Sequence, residues 1–185
     1  MAPGAAYRLN RKVVLVGMMG SGKTAIGRAL ALALDVAFVD SDSAIEEAAA
    51  LSIAEIFARD GETFFRARET EVLRRLLTGA PGIISTGGGA FLAAQNREMI
   101  ARDAVAIWLD ADLETLWERV RHKDTRPLLR TPDPKGTLAR LLAERRDIYA
   151  QAGLRLPISF HASIEETTQS ALRLLASRPD ILETS

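Results

Sequence analysis

A glycine-rich loop near the start of the chain constrains the fold more than any other feature. Residues 17–24 read Gly-Met-Met-Gly-Ser-Gly-Lys-Thr, which fits the pattern G-x-x-x-x-G-K-[ST]. A β-branched run at 12–16 precedes the loop and an Ala- and Leu-rich segment at 25–34 follows it, so the loop is predicted to join a strand to a helix. Backbone N–H groups in such a loop can surround phosphate oxygens, and the helix N-terminus adds its positive dipole end. The pattern therefore predicts a phosphate-binding α/β domain.

The residue types of this loop match the needs of a bound nucleotide. Glycines let the backbone approach phosphate closely, Lys23 can reach the β- and γ-phosphates, and Thr24 can offer its hydroxyl to Mg²⁺. The predicted ATP-binding residues of this segment are Gly20, Ser21, Gly22, Lys23, Thr24 and Ala25.

A second pattern overlaps the same loop. Gly20-x-Gly22-x-x-Ala25, with Asp40 about twenty residues later, also fits the dinucleotide-binding fingerprint G-x-G-x-x-G/A. That fingerprint does not require Gly17 or the Lys-Thr pair. The phosphate loop is therefore favoured over a dehydrogenase, for which the sequence also offers no second half and no catalytic acid–base pair.

Strand and helix signals alternate along the rest of the chain. Strands are predicted at 12–16, 36–39, 82–85, 105–109 and within 154–160, the last with Pro157 at its start or on a sheet edge. Helices are predicted at 25–34, 43–59, 62–77, 96–101, 113–120, 138–151 and from Ser163 to about Ala176, with capping boxes at Ser52–Glu55 and Ser163–Glu166. Strands separated by helices run parallel with right-handed crossovers, so we expect a three-layer α/β domain with a five-stranded parallel sheet.

The whole chain, 1–185, is predicted to form a single domain. Two stretches exceed the minimal crossover: a helical insertion at about 43–80 and a polar, Pro-containing loop at about 121–136. Extra length between core elements usually covers a ligand. Residues 1–11 lack the apolar region of a signal peptide and are predicted to be a short loose tail.

Composition excludes several classes of function. The chain has no cysteine and only two histidines, which excludes a Cys-zinc site, a thiol nucleophile and a multi-histidine metal site. Its 24 basic and 24 acidic residues balance, which argues against a general nucleic-acid binder. No apolar segment is long enough to span a membrane. We expect a cytoplasmic protein without a nucleic-acid or membrane partner.

Two aspartates follow the second predicted strand. Asp40 and Asp42 would share one face if the strand continued, at the edge of the sheet where ligands of open α/β folds bind. One carboxylate could serve Mg²⁺ through water and the other could meet a substrate hydroxyl. The alternative is turn and N-cap chemistry before a helix that begins at Ser43.

Further candidates lie beyond the second strand. The three glycines Gly87–Gly89 follow the third strand and expose backbone N–H groups to close approach. Arg126 lies on the long loop, where it could neutralise charge that develops during phosphoryl transfer. Arg66 in the insertion and Arg145 on the helix after the loop are further cations, although a lone surface arginine is normally only solvated.

Taken together, these motifs resemble the shikimate kinase family over about residues 10–176. The motifs are the phosphate loop, Asp40-Ser41-Asp42 with Ile45, Phe65-Arg66 with Glu69, Gly87–Gly89, Arg126-Pro127-Leu128-Leu129, and Glu144-Arg145 with Tyr149. The resemblance implies a P-loop kinase core of the nucleoside-monophosphate-kinase type, with a substrate subdomain and a mobile lid. It implies transfer of the ATP γ-phosphate to the 3-hydroxyl of shikimate, in the pathway to chorismate and aromatic amino acids.

The resemblance also implies roles for individual residues. Its catalytic residues are Lys23, Asp42 and Arg126; its substrate-binding residues are Asp42, Arg66, Gly87, Gly88, Gly89 and Arg145; its metal site is Thr24 and Asp40, and Arg126 also reaches the ATP phosphates. Asp42 either removes the hydroxyl proton or only orients the hydroxyl, and the two arginines hold the shikimate carboxylate. ATP and shikimate are the expected partners, Mg²⁺ the cofactor, and a monomer the expected state. The chain departs from the family pattern at Asp147, where a proline is expected, and the short loop around Arg121 and His122 leaves the adenine-stacking arginine unassigned.

Two other functions fit part of the pattern. Another small-molecule kinase, of the gluconate or nucleoside-monophosphate type, would share the Lys23-Thr24 pair but would not need Arg66, the three glycines and Arg145 together. A non-catalytic nucleotide-binding regulator would be expected to lose Lys23, Asp42 or Arg126, and all three are present.

Overall fold

Five parallel strands form the centre of the molecule. A computed structural model describes residues 7–123 and 127–184. The strands are β1 (Tyr7–Leu9), β2 (Lys12–Val16), β3 (Ala37–Asp40), β4 (Gly82–Ser85), β5 (Ala104–Ala111), β6 (Leu154–Ile158) and β7 (Leu182–Thr184). The helices are α1 (Lys23–Leu34), α2 (Ser41–Ala49), α3 (Ile53–Leu76), α4 (Ala94–Asp103), α5 (Leu113–Val120), α6 (Pro134–Tyr149) and α7 (Ile164–Ala176), with 3₁₀ turns at Ala90–Leu92 and Pro127–Leu129.

The order of the strands in this sheet is β3-β4-β2-β5-β6. From β2 the chain moves through α1 to one side of the sheet, and from β4 it moves through α4 to β5 on the other side. Right-handed crossovers in opposite directions place the connecting helices on opposite faces. Accordingly α1 packs with α7 on one face. The helices α5 and α6, which lie between β5 and β6 in the chain, pack with each other on the opposite face. The three-layer α/β fold expected from the sequence is confirmed.

Helices cover both faces of the sheet, and the strands are correspondingly apolar. Val13–Val16 of β2 are fully buried, and every residue of β5 is buried. Strands buried on both faces read as continuous hydrophobic runs, which is why the sequence located them well. The predicted edge position of Pro157 is confirmed, because β6 is the last strand of the sheet.

The insertion between β3 and β4 contains α2 and α3, which have a small hydrophobic core of their own. That core consists of Ile45, Ile56, Phe65 and Val72. The helix α3 is interrupted at Gly61, whose φ of 82° and ψ of 174° are not helical. Residues 43–59 and 62–77 were predicted to form two or three helices. The boundary between the two segments lies at Gly61, but 43–59 is itself divided, because α2 ends at Ala49 and Ser52 caps α3 in the predicted capping box with Glu55.

An ionic cluster fixes α6 against the outer strands of the sheet. Asp110 of β5 is buried and accepts hydrogen bonds from Arg146 of α6, at 3.3 Å, and from Arg155 of β6, at 2.8 Å. Both guanidinium groups also lie over the ring of Trp108, at 5.4 Å from its centroid. Shared bonds to one buried carboxylate tie these three elements together.

Two expectations at the edges of the fold are corrected. The predicted loose tail at 1–11 contains a strand, because β1 pairs antiparallel with β7 and buries Leu9 with Leu182. Neither of these three-residue strands has a strand pattern that sequence analysis recognises. The helix α6 begins at Pro134, in a segment predicted as loop, because Asp133 caps it through the Gly136 N–H and proline is well suited to a first turn. Among the described residues, none of the helices is both long and apolar enough to span a bilayer.

Gly27 provides a test of how closely α1 approaches the sheet. A Cβ at Gly27 would lie 2.6 Å from Phe38 Cε2 and 3.2 Å from Leu15 Cδ1. Alanine favours a helix by about 1 kcal/mol over glycine, yet overpacking a core costs about 1–3 kcal/mol. We therefore expect Gly27→Ala to lower the free energy of unfolding, measured by urea denaturation. Adding Phe38→Leu should recover part of the loss; a stabilised single variant would contradict the packing argument.

Candidate active site

A cleft of about 560 Å³ opens at the carboxyl ends of β2, β3 and β4. The register of the three parallel strands places Leu15 and Asp40 on either side of Ser85, so the segments that follow them begin at the same edge. These segments are the phosphate loop, the start of α2 and the three glycines. The cleft is lined by the loop residues Gly20–Ala25 and by Asp40, Asp42, Gly87 and Gly88, as the sequence predicted for the edge of the sheet.

The phosphate loop has the left-handed turns that its glycines permit. Gly20 has a φ of 81° and Gly22, the N-cap of α1, a φ of 98°. The Ser21 N–H donates to the Met18 carbonyl at 3.1 Å, and Ser21 Oγ is the buried side-chain polar atom without a hydrogen-bond partner among the described residues. The loop encloses the Lys23 ammonium, which donates to the carbonyls of Gly17 and Met18 at 2.8 and 2.9 Å. The Lys23 ammonium is thus held against two backbone carbonyls at the start of the phosphate loop.

Thr24 and Asp40 form a pair of oxygen donors beside the loop. The Thr24 hydroxyl donates to Asp40 Oδ2 at 3.1 Å, and Asp40 Oδ1 accepts from the Ser43 N–H at 3.1 Å. Asp40 is therefore the N-cap of α2 and also lines the cleft, so the capping interpretation is confirmed and the metal role stays a prediction. A hydroxyl and a carboxylate next to a phosphate site suit Mg²⁺, which takes few protein ligands and completes its shell with phosphate and water. Across residues 7–123 and 127–184, no cluster of three or more His, Asp or Glu side chains could hold a metal alone.

Asp42 reaches the cleft from a helix and not from a strand. The strand β3 ends at Asp40, so the continued strand that would align the two aspartates is absent, and Asp42 lies in the first turn of α2. Burial raises the pKa of the Asp42 carboxyl, and the charges of Asp40 and Glu46 add to that effect. Lys23 and Arg66 oppose it. The carboxylate is therefore a stronger base than an exposed aspartate, between two cations.

Each of the three consecutive glycines lies against a different side chain of the site. A Cβ on Gly87 would lie 2.6 Å from Asp42 Oδ1, and one on Gly89 would lie 2.5 Å from Arg66 Nη1. At Gly88 the nearest atom would be Arg145 Nη1, at 3.8 Å. The absence of side chains thus lets one carboxylate and two guanidinium groups converge on a single stretch of backbone.

Arg66 is held in place by a buried carboxylate. Its Nη1 donates to both oxygens of Glu69 at 2.9 and 3.2 Å, one helical turn further along α3. Glu69 is only 2% exposed, and burial raises the pKa of its carboxyl while Arg66 lowers it. This pair fixes the guanidinium, whose Nε also lies 3.6 Å from Glu62 Oε1 and whose Nη1 and Nη2 lie beside Gly89.

Arg145 approaches the glycines from α6. It lies one helical turn before Tyr149, and burial raises the pKa of the Tyr149 hydroxyl while the nearby Arg145 guanidinium lowers it. The Tyr149 hydroxyl donates to the Gly88 carbonyl. All predicted substrate-binding residues therefore lie together, at the end of the cleft beside Gly87–Gly89.

Sequence reasoning missed the wall of the cleft that lies beyond the phosphate loop. Arg119 of α5 donates to the carbonyls of Gly20 and Ser21, both at 3.2 Å, and it lines the cleft. Ile158 at the end of β6 and Ile164 at the start of α7 complete this wall. Only the order of the strands brings α5 beside the phosphate loop, and that order cannot be predicted from the sequence alone. The contact of Arg119 with the loop was therefore not predictable.

Part of the predicted lid, including Arg126, lies outside the described residues. The contact of Arg126 with the ATP phosphates therefore stays a prediction. Arg121 and His122, near which the adenine-stacking arginine was expected, are exposed, and Arg121 pairs with Glu118 at 3.0 Å. Arg119 is the arginine that this region directs to the phosphate loop.

Comparison with known proteins identifies the family. The family model described as shikimate kinase matches residues 19–176 of this chain. The chain belongs to the shikimate kinase family. It is 57% identical to the shikimate kinase of Ruegeria pomeroyi over 98% of this chain and 93% of the relative, and 58% identical to that of Cereibacter sphaeroides over 96% and 88%. Membership makes the chain an ATP-dependent kinase.

Solved structures agree with this assignment. The shikimate kinase from Acinetobacter baumannii in complex with shikimate matches with a TM-score of 0.84 and 36% identity, over 90% of this chain and 93% of that one. A gluconokinase from Sinorhizobium meliloti matches with a TM-score of 0.59 and 19% identity, over 92% and 94%. The second likeness shows a shared fold alone.

The raised pKa of Asp42 predicts a trade of stability for function. A carboxyl whose pKa is raised above its ordinary value of 3.8 on folding lowers the free energy of unfolding as the pH rises through that window. We expect Asp42→Asn to stabilise the ligand-free protein at about pH 7, with a gain that shrinks as the pH falls toward the ordinary pKa, while activity is lost. Urea denaturation at several pH values checks this.

The matched control is Asp112→Asn. Asp112 caps α5, and the Thr115 N–H lowers the pKa of its carboxyl, so the sign of its pH dependence is opposite. No gain at neutral pH is expected there. A gain of equal size in both variants, or none for Asp42→Asn, would contradict the assignment of a costly buried charge to Asp42.

Proposed function

We propose that this chain transfers the γ-phosphate of ATP to the 3-hydroxyl of shikimate, giving shikimate 3-phosphate and ADP. The observation that carries the proposal is the convergence of Asp42, Arg66 and Arg145 on the backbone of Gly87–Gly89, beside the phosphate loop. Two arginines and one aspartate beside the same stretch of backbone match a small molecule that has one carboxylate and several hydroxyls. The closely related kinases and the shikimate-bound structure support the same substrate.

The phosphate loop is proposed to bind the triphosphate. Its inward-facing N–H groups and the N-terminus of α1 would hold phosphate oxygens, and Lys23 would neutralise charge that grows on them during transfer. Thr24 and Asp40 would hold Mg²⁺, which supplies charge neutralisation between the β- and γ-phosphates when it is bound. Arg119 and the apolar wall at Ile158 and Ile164 would receive the nucleoside.

The other end of the cleft is proposed to bind shikimate. Arg66, already fixed by Glu69, and Arg145, which lies beside Tyr149 and Gly88, would donate to the carboxylate through their N–H groups. Asp42 would accept a hydrogen bond from the 3-hydroxyl and turn its oxygen toward the phosphate loop. The guanidinium charges need no rearrangement on binding, which favours affinity by preorganisation.

Phosphoryl transfer then requires little further chemistry from the protein. The 3-hydroxyl oxygen forms a bond to the γ-phosphorus as the bond from that phosphorus to the β–γ bridging oxygen breaks. The proton of the hydroxyl passes to Asp42, whose raised pKa suits it to accept one, or leaves after the transfer has begun. ADP is the leaving group, and Lys23 faces the charge that it acquires.

The lid at about 121–136, with Arg126, is proposed to close over the phosphates. Exclusion of water from the cleft would prevent wasteful hydrolysis of ATP. The monomeric state and the cytoplasmic location stay predictions from the sequence. Light scattering of the purified protein would test the first of them.

A substrate panel tests the proposal directly. ADP release coupled to NADH oxidation should be stimulated by shikimate and not by quinate, gluconate or nucleoside monophosphates at the same concentration. The panel includes the substrates of the two rival kinase types, so a positive result with gluconate or a nucleotide would replace the proposal. ATP consumption without any acceptor would point to a hydrolase.

The two arginines supply a sharper prediction. Arg66→Ala and Arg145→Ala should each weaken shikimate binding roughly 10- to 150-fold, since a charge-assisted bidentate contact contributes about 1.5–3 kcal/mol. Nucleotide affinity should stay almost unchanged, and Arg→Lys should restore binding only in part, because an ammonium lacks the planar fork. Isothermal titration calorimetry with shikimate and with ATP measures both effects.

Each variant has a control on its own helix. Arg68 of α3 pairs with Glu71, and Arg140 of α6 pairs with Glu144, and both arginines are exposed outside the cleft. Arg68→Ala and Arg140→Ala should leave shikimate binding unchanged. If the site variants behaved like these controls, Arg66 and Arg145 would be solvated surface residues and the proposed carboxylate site would be wrong.

A further inference from the structure

Tyr149 is a buried residue that the phosphoryl-transfer step does not require. Its side chain is 1% exposed, and its ring stacks on Phe91 with 6.5 Å between centroids and an interplanar angle of 18°. A phenylalanine would fill the same space and make the same stacking contact. The hydroxyl group therefore needs its own explanation, because a buried polar group without a purpose is a cost.

The Tyr149 hydroxyl joins two parts of the substrate site that belong to different elements. It donates a hydrogen bond to the carbonyl of Gly88, the central glycine after β4. The Arg145 guanidinium lies close to it, one turn earlier on the same helix; burial raises the pKa of the phenol and Arg145 opposes that effect. The guanidinium has only donors, so the phenol oxygen can face it as an acceptor while the phenol proton is directed to Gly88.

The backbone geometry places Arg145, Tyr149 and Gly88 together. Arg145 and Tyr149 are four residues apart on α6 and therefore lie on the same face of the helix. The backbone at Gly88 is also next to Arg145, since a Cβ there would be 3.8 Å from Nη1. The Tyr149 hydroxyl, the Arg145 guanidinium and the Gly88 peptide therefore lie next to one another, and the hydroxyl limits the movement of the other two. A charged donor that faces the phenol oxygen strengthens the bond that the hydroxyl donates.

We propose that Tyr149 is a positioning residue for shikimate: its hydroxyl sets the Arg145 guanidinium and the Gly88 peptide in the relative orientation that the carboxylate of the substrate requires. This inference rests on the proposed function and adds to it a residue that does not touch the substrate. We expect it to act on the acceptor substrate through Arg145, although the Gly88 backbone also adjoins the phosphate loop: a Cβ there would lie 3.9 Å from the Met19 nitrogen.

The decisive variant is Tyr149→Phe, which keeps the ring and removes the hydroxyl. The KM for shikimate should rise about tenfold, since the Arg145 guanidinium loses the oxygen beside it and the Gly88 carbonyl loses its donor. The kcat and the KM for ATP should stay within about twofold of the parent. Tyr7 is the only other tyrosine of the sequence and lies on β1, so Tyr7→Phe removes the same atom far from the cleft and should change none of these constants.

A double-mutant cycle separates positioning from general packing. If Tyr149 acts through Arg145, Tyr149→Phe should have little further effect on the shikimate KM in an Arg145→Ala background, whereas independent effects would multiply. An unchanged shikimate KM in folded Tyr149→Phe would overturn the proposal. So would equal losses for both substrates together with a lowered Tm, which would mark Tyr149 as a packing residue.

A second measurement does not depend on the folding of that variant. In Tyr7→Phe protein labelled with ¹³Cζ-tyrosine, the single signal reports the hydroxyl of Tyr149. It should move on addition of shikimate, as the substrate carboxylate brings a negative charge next to Arg145, and stay in place with ADP alone; a signal indifferent to shikimate would overturn the proposal. A parent enzyme that does not phosphorylate shikimate would instead contradict the proposed function, so the two failures are distinguishable.

Discussion

The site depends on the register of three parallel strands. Because Leu15, Asp40 and Ser85 lie level with one another, the phosphate loop, the N-terminus of α2 and the three glycines all start from one line across the sheet. Thr86 extends that line, since its N–H and its hydroxyl both donate to the Leu15 carbonyl, at 3.2 and 2.8 Å. A shift of one residue in any of these strands would reverse the faces of its side chains and separate the donor of the phosphate from its acceptor.

Electrostatics within the cleft are organised by burial as much as by charge. Two carboxylates lie near Arg66: Asp42, which is partly buried in the cleft, and Glu69, which is fully buried and holds Arg66 in place. Burial raises the pKa of each above that of an exposed side chain. Burying these groups lowers the stability of the folded protein before any ligand binds. This is the usual compromise at a reacting centre, where stability is lower so that charges need not move during the reaction.

Much of this arrangement could be predicted from the sequence, and the physical reasons differ from element to element. The phosphate loop, β4 and α5 were located because local glycine, β-branched and amphipathic patterns determine them. The helical position of Asp42 could not be predicted, because it depends on where β3 stops and on the capping of α2 by Asp40. Arg119 was missed because its neighbours lie about a hundred residues earlier in the chain and only the order of the strands brings them together.

The ionic cluster at Asp110 gives α6 a mechanical property. Arg145 and Arg146 are consecutive, so they leave the helix in directions about 100° apart, one toward the glycines and the other toward the outer strands. Rolling of α6 about its own axis would stretch the Arg146–Asp110 bond as it moved Arg145. The Arg146–Asp110 bond therefore resists rotation of the last turns of α6, and with it a displacement of the Arg145 side chain from the glycines.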